Sequence, residues 1–230
     1  MSEEIKDENL DVVSDESEGK EIVEIYLEDL EALADTIDEL ERDEKIEDKI
    51  DKTLFDSRII YLSGVVCDSM SAGLIPLIHY YNLEDEKNNI EKSSRKSIKL
   101  YIDSEGGDLY KGFNMVSTII NSKTPIHTYL EGSIGMSAGL LLYLAGSKKY
   151  MSKFGNLMYH ELRFSHDYQT LVEAENMQKH YRELQKHIDE FIAERSSLTT
   201  KQLKDKRKKN LDWFITYTEA KKYKLFDAEL

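Results

Sequence analysis

The sequence has one cysteine, Cys67, in 230 residues. No disulfide can form within the chain, so a reducing compartment, the cytoplasm, is expected. The first twenty residues, MSEEIKDENLDVVSDESEGK, carry neither a basic n-region nor an apolar h-region. No secretory signal is therefore expected there. No run approaches ~18 uninterrupted apolar residues, so no transmembrane helix is expected. A P-loop pattern, G-x-x-x-x-G-K-[ST], is missing too, so the chain is not expected to bind ATP or another cofactor by that route. No internal repeat stands out.

Basic charge is scarce in one part of the chain only. The formal net charge is −14, and residues 1–52 hold 22 Asp and Glu against 6 Lys and Arg. The remainder holds 23 acidic against 25 basic residues and is nearly neutral. With no broad basic face, nucleic acid is not an expected partner. Over the whole chain the composition is ordinary for a water-soluble protein: 40% hydrophobic and 33% charged residues.

These bounds divide the chain in two. Residues 1–19 are acidic and serine-rich and read as disordered. From 21 to 49, Tyr26, Leu30, Leu33, Ile37 and Leu40 recur at three- and four-residue steps, which predicts an amphipathic helix. Residues 1–52 thus form an acidic extension: either a solvated helix on its own domain or an arm that meets another subunit or partner. The globular part is expected over 53–230. There RIIYLSG, SIKLYID and PIHTYLEG read as strands. SMSAGLIPLIHYYNL, LYKGFNMVSTIINS, GMSAGLLLYLAG and the stretch from about Thr170 to Ser196 read as helices. Two short strands are expected in KKYMSKFGNLMYH, and a shorter helix over Thr199–Lys209. Alternating strands and helices favour an α/β fold with parallel pairing.

Two segments carry candidate chemistry. SEGGD follows a predicted strand and precedes a helix; glycines there let amide groups face an anion or oxyanion, or simply make a turn. GSIGMSAG precedes a buried helix, where a serine hydroxyl meets unpaired N–H groups, or caps the helix. Its two serines, Ser133 and Ser137, are both candidates at this point. A serine nucleophile needs a base and an orienting group. Among His79, His127, His160, His166, His180 and His187, His160 ends an apolar strand, the position at which parallel sheets present functional groups. His166 is the weaker rival. His180 and His187 fall on the long charged helix, without a third ligand for a metal, so no metal site is expected.

Four of these segments together resemble the Clp protease proteolytic subunit (ClpP) family. IKLYIDSEGGDLYKGFNM is similar to its strand, Ser-Pro-Gly-Gly and helix. SAGLLLYLAG is similar to its Ser-x-Gly-x-x-Leu-x-x-Ala-Gly segment, LMYHE to Met-Ile-His-Gln, and DWFITYTEAKKYKLFD to its C-terminal Asp-x-Phe segment. The resemblance covers about residues 53–230. It implies an α/β superhelix of β-β-α units, shared with crotonases, with a long handle helix. It also implies a serine endopeptidase with Ser137 as nucleophile, His160 as base, Asp212 as orienting acid, and backbone N–H groups of Gly107 and Ala138 as oxyanion donors. A homo-oligomeric ring, typically heptameric and stacked in pairs, follows by the same implication. So does a hexameric AAA+ ATPase that feeds polypeptide substrates. Glu105 stands where the family has proline and adds a charge beside the cleft. After His160 the family's glycine-rich strand gives way to ELRFSHDYQTLVEAE, which has no glycine. Alternatives are a catalytically silent ring subunit or adaptor acting through its acidic arm, a Ser–Lys hydrolase using Lys148 or Lys149, and a crotonase-like thioester enzyme.

Overall fold

The computed structural model describes residues 45–164, 170–209 and 212–230. The expected disordered stretch 1–19 and most of the expected helix over 21–49 lie outside these residues, as does His166. The chain divides into units 1–53 and 54–230. Of the first, residues 45–53 are helical, in a helix, α1, that runs on to residue 57.

The second unit begins its sheet with β1 (Ile59–Val66), followed by α2 (Asp68–Lys87), β2 (Ile98–Gly107), α3 (Leu109–Ile120) and β3 (Ile126–Leu130). Next come β4 (Ile134–Met136), α4 (Ala138–Ala145), β5 (Lys148–Met151), β6 (Asn156–His160) and α5 (Leu171–Glu194). The chain then forms α6 (Thr200–Lys209), β7 (Asp212–Ile215), α7 (Tyr217–Lys222) and β8 (Ala228–Glu229). The strand pairs β3–β4 and β5–β6, each followed by a helix, give the expected β-β-α units of a mixed α/β fold. The strands run in the order β7-β6-β4-β2-β3-β5-β8, with β1 also on β2. All pairings are parallel except β6 with β7.

Strand β2 shows why the sheet forms. Ile98, Leu100, Ile102, Ser104 and Gly106 alternate inward, the period-two pattern of a pleated strand. On its other face Tyr101 joins a row of stacked rings, Tyr61, Tyr101, Tyr129 and Tyr150, on four adjacent strands at centroid spacings of 4.9, 4.7 and 4.7 Å. These spacings match the distance between neighbouring strands. Helix α4, AGLLLYLA, is buried at all eight positions, as befits a helix that is apolar all round. It packs on β2, α3 and α5. Gly139 permits the approach to β2, since a Cβ there would lie 2.6 Å from the carbonyl oxygen of Ser104.

One polar anchor ties α2 to the turns that precede β1 and β3. The Asp85 carboxylate of α2 is fully buried. It accepts from Arg58 at 2.5 and 2.8 Å and from the Thr124 hydroxyl at 2.6 Å. Asp85 lies in EDEKNN, which as sequence looks like a polar connector. In the structure α2 continues through it to Lys87, with this one acid turned inward.

Candidate active site

The glycine segment departs from the sequence expectation. SEGGD is not a free loop, because β2 continues through it to Gly107. Strand β1 pairs Ser63 with Asp103 and then Val65 with Gly106, so Ser104 and Glu105 together oppose Gly64. This is a β-bulge, a device that bends a strand and re-aims its side chains. Ser104 fills the bulge from within: its hydroxyl donates to the Gly64 carbonyl at 2.6 Å and accepts from Gly106 N–H at 3.2 Å. Glu105 faces outward. Asp108 N–H donates to the Val66 carbonyl of β1. Successive amides alternate sides along a strand, so Gly107 N–H points away from β1.

A short strand missed in the sequence, β4, delivers the chain to Ser137. Ser137 N–H donates to the Met158 carbonyl of β6 at 3.0 Å, and Leu140 N–H donates to the Ser137 carbonyl at 3.1 Å. Ser137 is the N-cap of α4, yet its side chain makes no capping bond. Its backbone sits at φ 53°, ψ −119°. That conformation costs a non-glycine residue about 1–3 kcal/mol, and such strain concentrates at functional sites. Gly106 makes the close approach possible: at φ +97°, a Cβ there would lie 2.6 Å from Ser137 Cβ and 3.0 Å from Ala138 N. Ser133 has a different fate. Its hydroxyl donates to the Ile102 carbonyl at 2.6 Å, a bond that ties the β3–β4 turn to β2.

Ser137, Ala138, Gly107, His160, Glu105 and Arg163 line one cavity of about 290 Å³. Its inner wall is apolar, with Leu141 of α4, Met158 of β6 and Ile188 and Ile192 of α5. Ala138 N–H belongs to the first turn of α4, where amides have no partner within the helix. At the end of β6 the Nδ1 of His160 faces the Glu161 carbonyl. A carbonyl only accepts, so Nδ1 carries the proton, and Nε2 of the neutral ring keeps its lone pair.

Asp212 lies directly across the antiparallel β6–β7 register from His160. Its carboxylate, however, is held by Arg163. Among the described residues no hydrogen bond joins Asp212 to His160 or His160 to Ser137. His160 and Asp212 are thus register neighbours on β6 and β7, with the acid engaged by Arg163 and the imidazole by the Glu161 carbonyl. The remaining described histidines are elsewhere: His180 and His187 are exposed on α5, His79 is exposed on α2, and His127 is on β3. Lys149 pairs with Asp227 at 3.0 Å. No group of three or more His, Cys, Asp or Glu among the described residues could hold a metal ion. No described helix is long and apolar enough to cross a membrane.

Behind His160 lies a polar cluster that the sequence did not reveal. Tyr159 donates to Asp189 at 2.5 Å, Gln185 donates to Asp189 at 3.0 Å, and Arg207 donates to both Asp189 and the Tyr159 hydroxyl. The Gln185 carbonyl oxygen accepts from Leu162 N–H at 2.6 Å, which fixes the segment just after His160. Burial, followed by the Asp189 carboxylate, pushes the Tyr159 phenol well above its ordinary range. The available signal was an acid and an amide at i, i+4 on the same stripe as Leu184, Ile188 and Ile192. Glu219 closes a capping box with Thr216 at the start of α7. It also accepts from the Trp213 indole.

One cavity thus carries groups of the kinds that acyl transfer uses: the strained, uncapped Ser137 hydroxyl, the His160 imidazole on the adjoining strand, and the backbone of Gly107 and Ala138. The family model described as Clp protease matches residues 41–228. The match spans most of the chain, and the chain belongs to the Clp protease family.

Proposed function

We propose that this chain is a serine endopeptidase in which Ser137 attacks the scissile carbonyl and His160 Nε2 takes its proton. Gly107 and Ala138 N–H groups bind the oxyanion, and His160 then returns the proton to the leaving amine. Water resolves the acyl-enzyme with the same base. Asp212 orients the imidazolium. The observation that carries this reading is Ser137 itself, held at positive φ on the cavity with a side chain that makes no capping bond. Residues 53–230 are the protease domain and 1–52 an acidic extension. The active form is a self-compartmentalised ring in the cytoplasm, taking unfolded polypeptide from an ATP-dependent unfoldase.

Fluorophosphonate labelling of the full chain, with the adduct mapped by mass spectrometry and the assembly weighed in its native state, tests this. One adduct on Ser137 of an oligomer is expected. No adduct, or one on Ser133, defeats the assignment.

The Arg163–Asp212 pair favours a second, narrower reading: the single chain is a resting form, in which Arg163 holds the acid and the Glu161 carbonyl holds the Nδ1–H that would meet it. Arg163 has a side chain 64% exposed, and an exposed pair of this kind is worth up to about 1 kcal/mol, or about fivefold in rate. Arg163→Gln is therefore expected to raise the labelling rate of Ser137 by about two- to fivefold. A tenfold fall would show that Arg163 supports the site instead.

A further inference from the structure

The cavity beside Ser137 holds a carboxylate that the proposed chemistry does not use. Glu105 belongs to the bulge of β2, two residues before Gly107. The bulge commits Ser104 inward to the Gly64 carbonyl and leaves Glu105 exposed at the cavity. Among the described residues Glu105 has no ion-pair partner. The cation on the same cavity, Arg163, is occupied by Asp212. The wall behind is formed by Leu141, Met158, Ile188 and Ile192. A single unpaired charge against low-dielectric walls focuses its field into the cleft. It attracts a cation there and repels an anion.

We propose that Glu105 is a specificity-determining residue: it selects peptide substrates with a basic side chain next to the scissile bond and disfavours acidic ones. This rests on the serine endopeptidase reading above. A substrate whose carbonyl oxygen meets Gly107 N–H runs past Glu105 within two residues of the cleaved bond. That places a lysine or arginine side chain in reach of the carboxylate. At contact distance such an exposed pair is worth up to about fivefold, and repulsion of an acidic side chain adds a comparable factor to the Lys-over-Glu ratio. Being open to solvent, it weakens as salt is added.

The test uses the full chain and internally quenched peptides that differ only in carrying Lys, Gln or Glu at each of the four positions flanking the cleaved bond. The readout is the ratio of kcat/KM for Lys over Glu peptides at 50 mM and 500 mM salt. Wild type is expected to give a ratio of about tenfold or more at one position at low salt, shrinking at high salt. Glu105→Gln should bring that ratio to within about twofold of unity, and Glu105→Lys should invert it. A Lys/Glu ratio that is unchanged in both variants overturns the proposal while leaving the protease reading standing. If wild type neither cleaves these peptides nor takes a fluorophosphonate on Ser137, both readings fall together.

Discussion

Ser137→Ala is expected to abolish peptide hydrolysis, with kcat falling by on the order of 10⁶, as removal of the nucleophile or base does in triad enzymes. The remaining turnover should stay measurable above the uncatalysed rate, because the amides of Gly107 and Ala138 persist. The loss should not come from unfolding. The Ser137 side chain makes no capping bond, so its truncation removes little that holds α4 in place. A companion variant makes the point sharper. Ser137→Gly should be equally inactive yet melt higher than Ser137→Ala, because glycine occupies φ 53° without the steric cost that alanine retains. Relief of about 1 kcal/mol corresponds to about 2–4 °C for a chain of this size. His160→Ala should match Ser137→Ala in activity, whereas Ser133→Ala should keep the activity and lower the melting temperature, since Ser133 bonds to β2. Turnover by Ser137→Ala within tenfold of wild type would refute the nucleophile.

Asp85→Ala is expected to cost the most stability of any single change named here. It strands Arg58, whose side chain is only 13% exposed, and leaves the buried Thr124 hydroxyl without its acceptor. Removing one partner of a buried pair costs about 3–5 kcal/mol, against a total stability of about 5–15 kcal/mol for a typical domain. Urea unfolding at neutral pH should show that loss. A loss below 1 kcal/mol would mean that the anchor is relaxed by water. The pH dependence has a definite sign. The Arg58 hydrogen bond holds the Asp85 carboxyl below its ordinary value. Its contribution is therefore complete above the unfolded-state value near 4 and lost as pH falls through the lower folded value. Wild type and Asp85→Ala should converge only in that acid range. The double change Arg58→Met, Asp85→Leu should recover most of the loss, because it removes both charges together.

Much of the fold was legible where periodicity is strong. The alternation in IKLYI and the three- and four-residue steps along α5 come straight from burial on one face. What escaped was decided by partners distant in sequence. IGM is too short and glycine-centred to read as a strand, and it becomes β4 only because β2 and β6 flank it. SEGGD looks like a turn by composition, yet β1 supplies a partner and a bulge, so the ladder runs to Gly107. Asp85 sits in the charged run EDEK, where composition suggests a connector, and Asp189 is marked only by its place on the apolar stripe of α5; what each acid binds, Arg58 or Arg207, lies far away in sequence. For the site, chemistry singled out His160 from the end of its strand but left Ser133 and Ser137 open. Only the coordinates show that Ser133 is spent on a backbone carbonyl. Arg163 had no signal at all, because its role depends on β7 lying beside β6.

The pairing of β5 with β8 carries a consequence for how the chain reaches this structure. Asp227 caps Lys149 across a separation of 78 residues, and β8 supplies just two residues to cover the edge of β5. Contacts this distant form late, after the entropy of a long loop has been spent. Until they form, β5 presents bare amides and carbonyls beside the tyrosine row, which is a template for another chain in the same condition. The last strand is therefore expected to shield this edge as well as to add stability, and a chain cut before Asp227 should aggregate faster on refolding than the full chain.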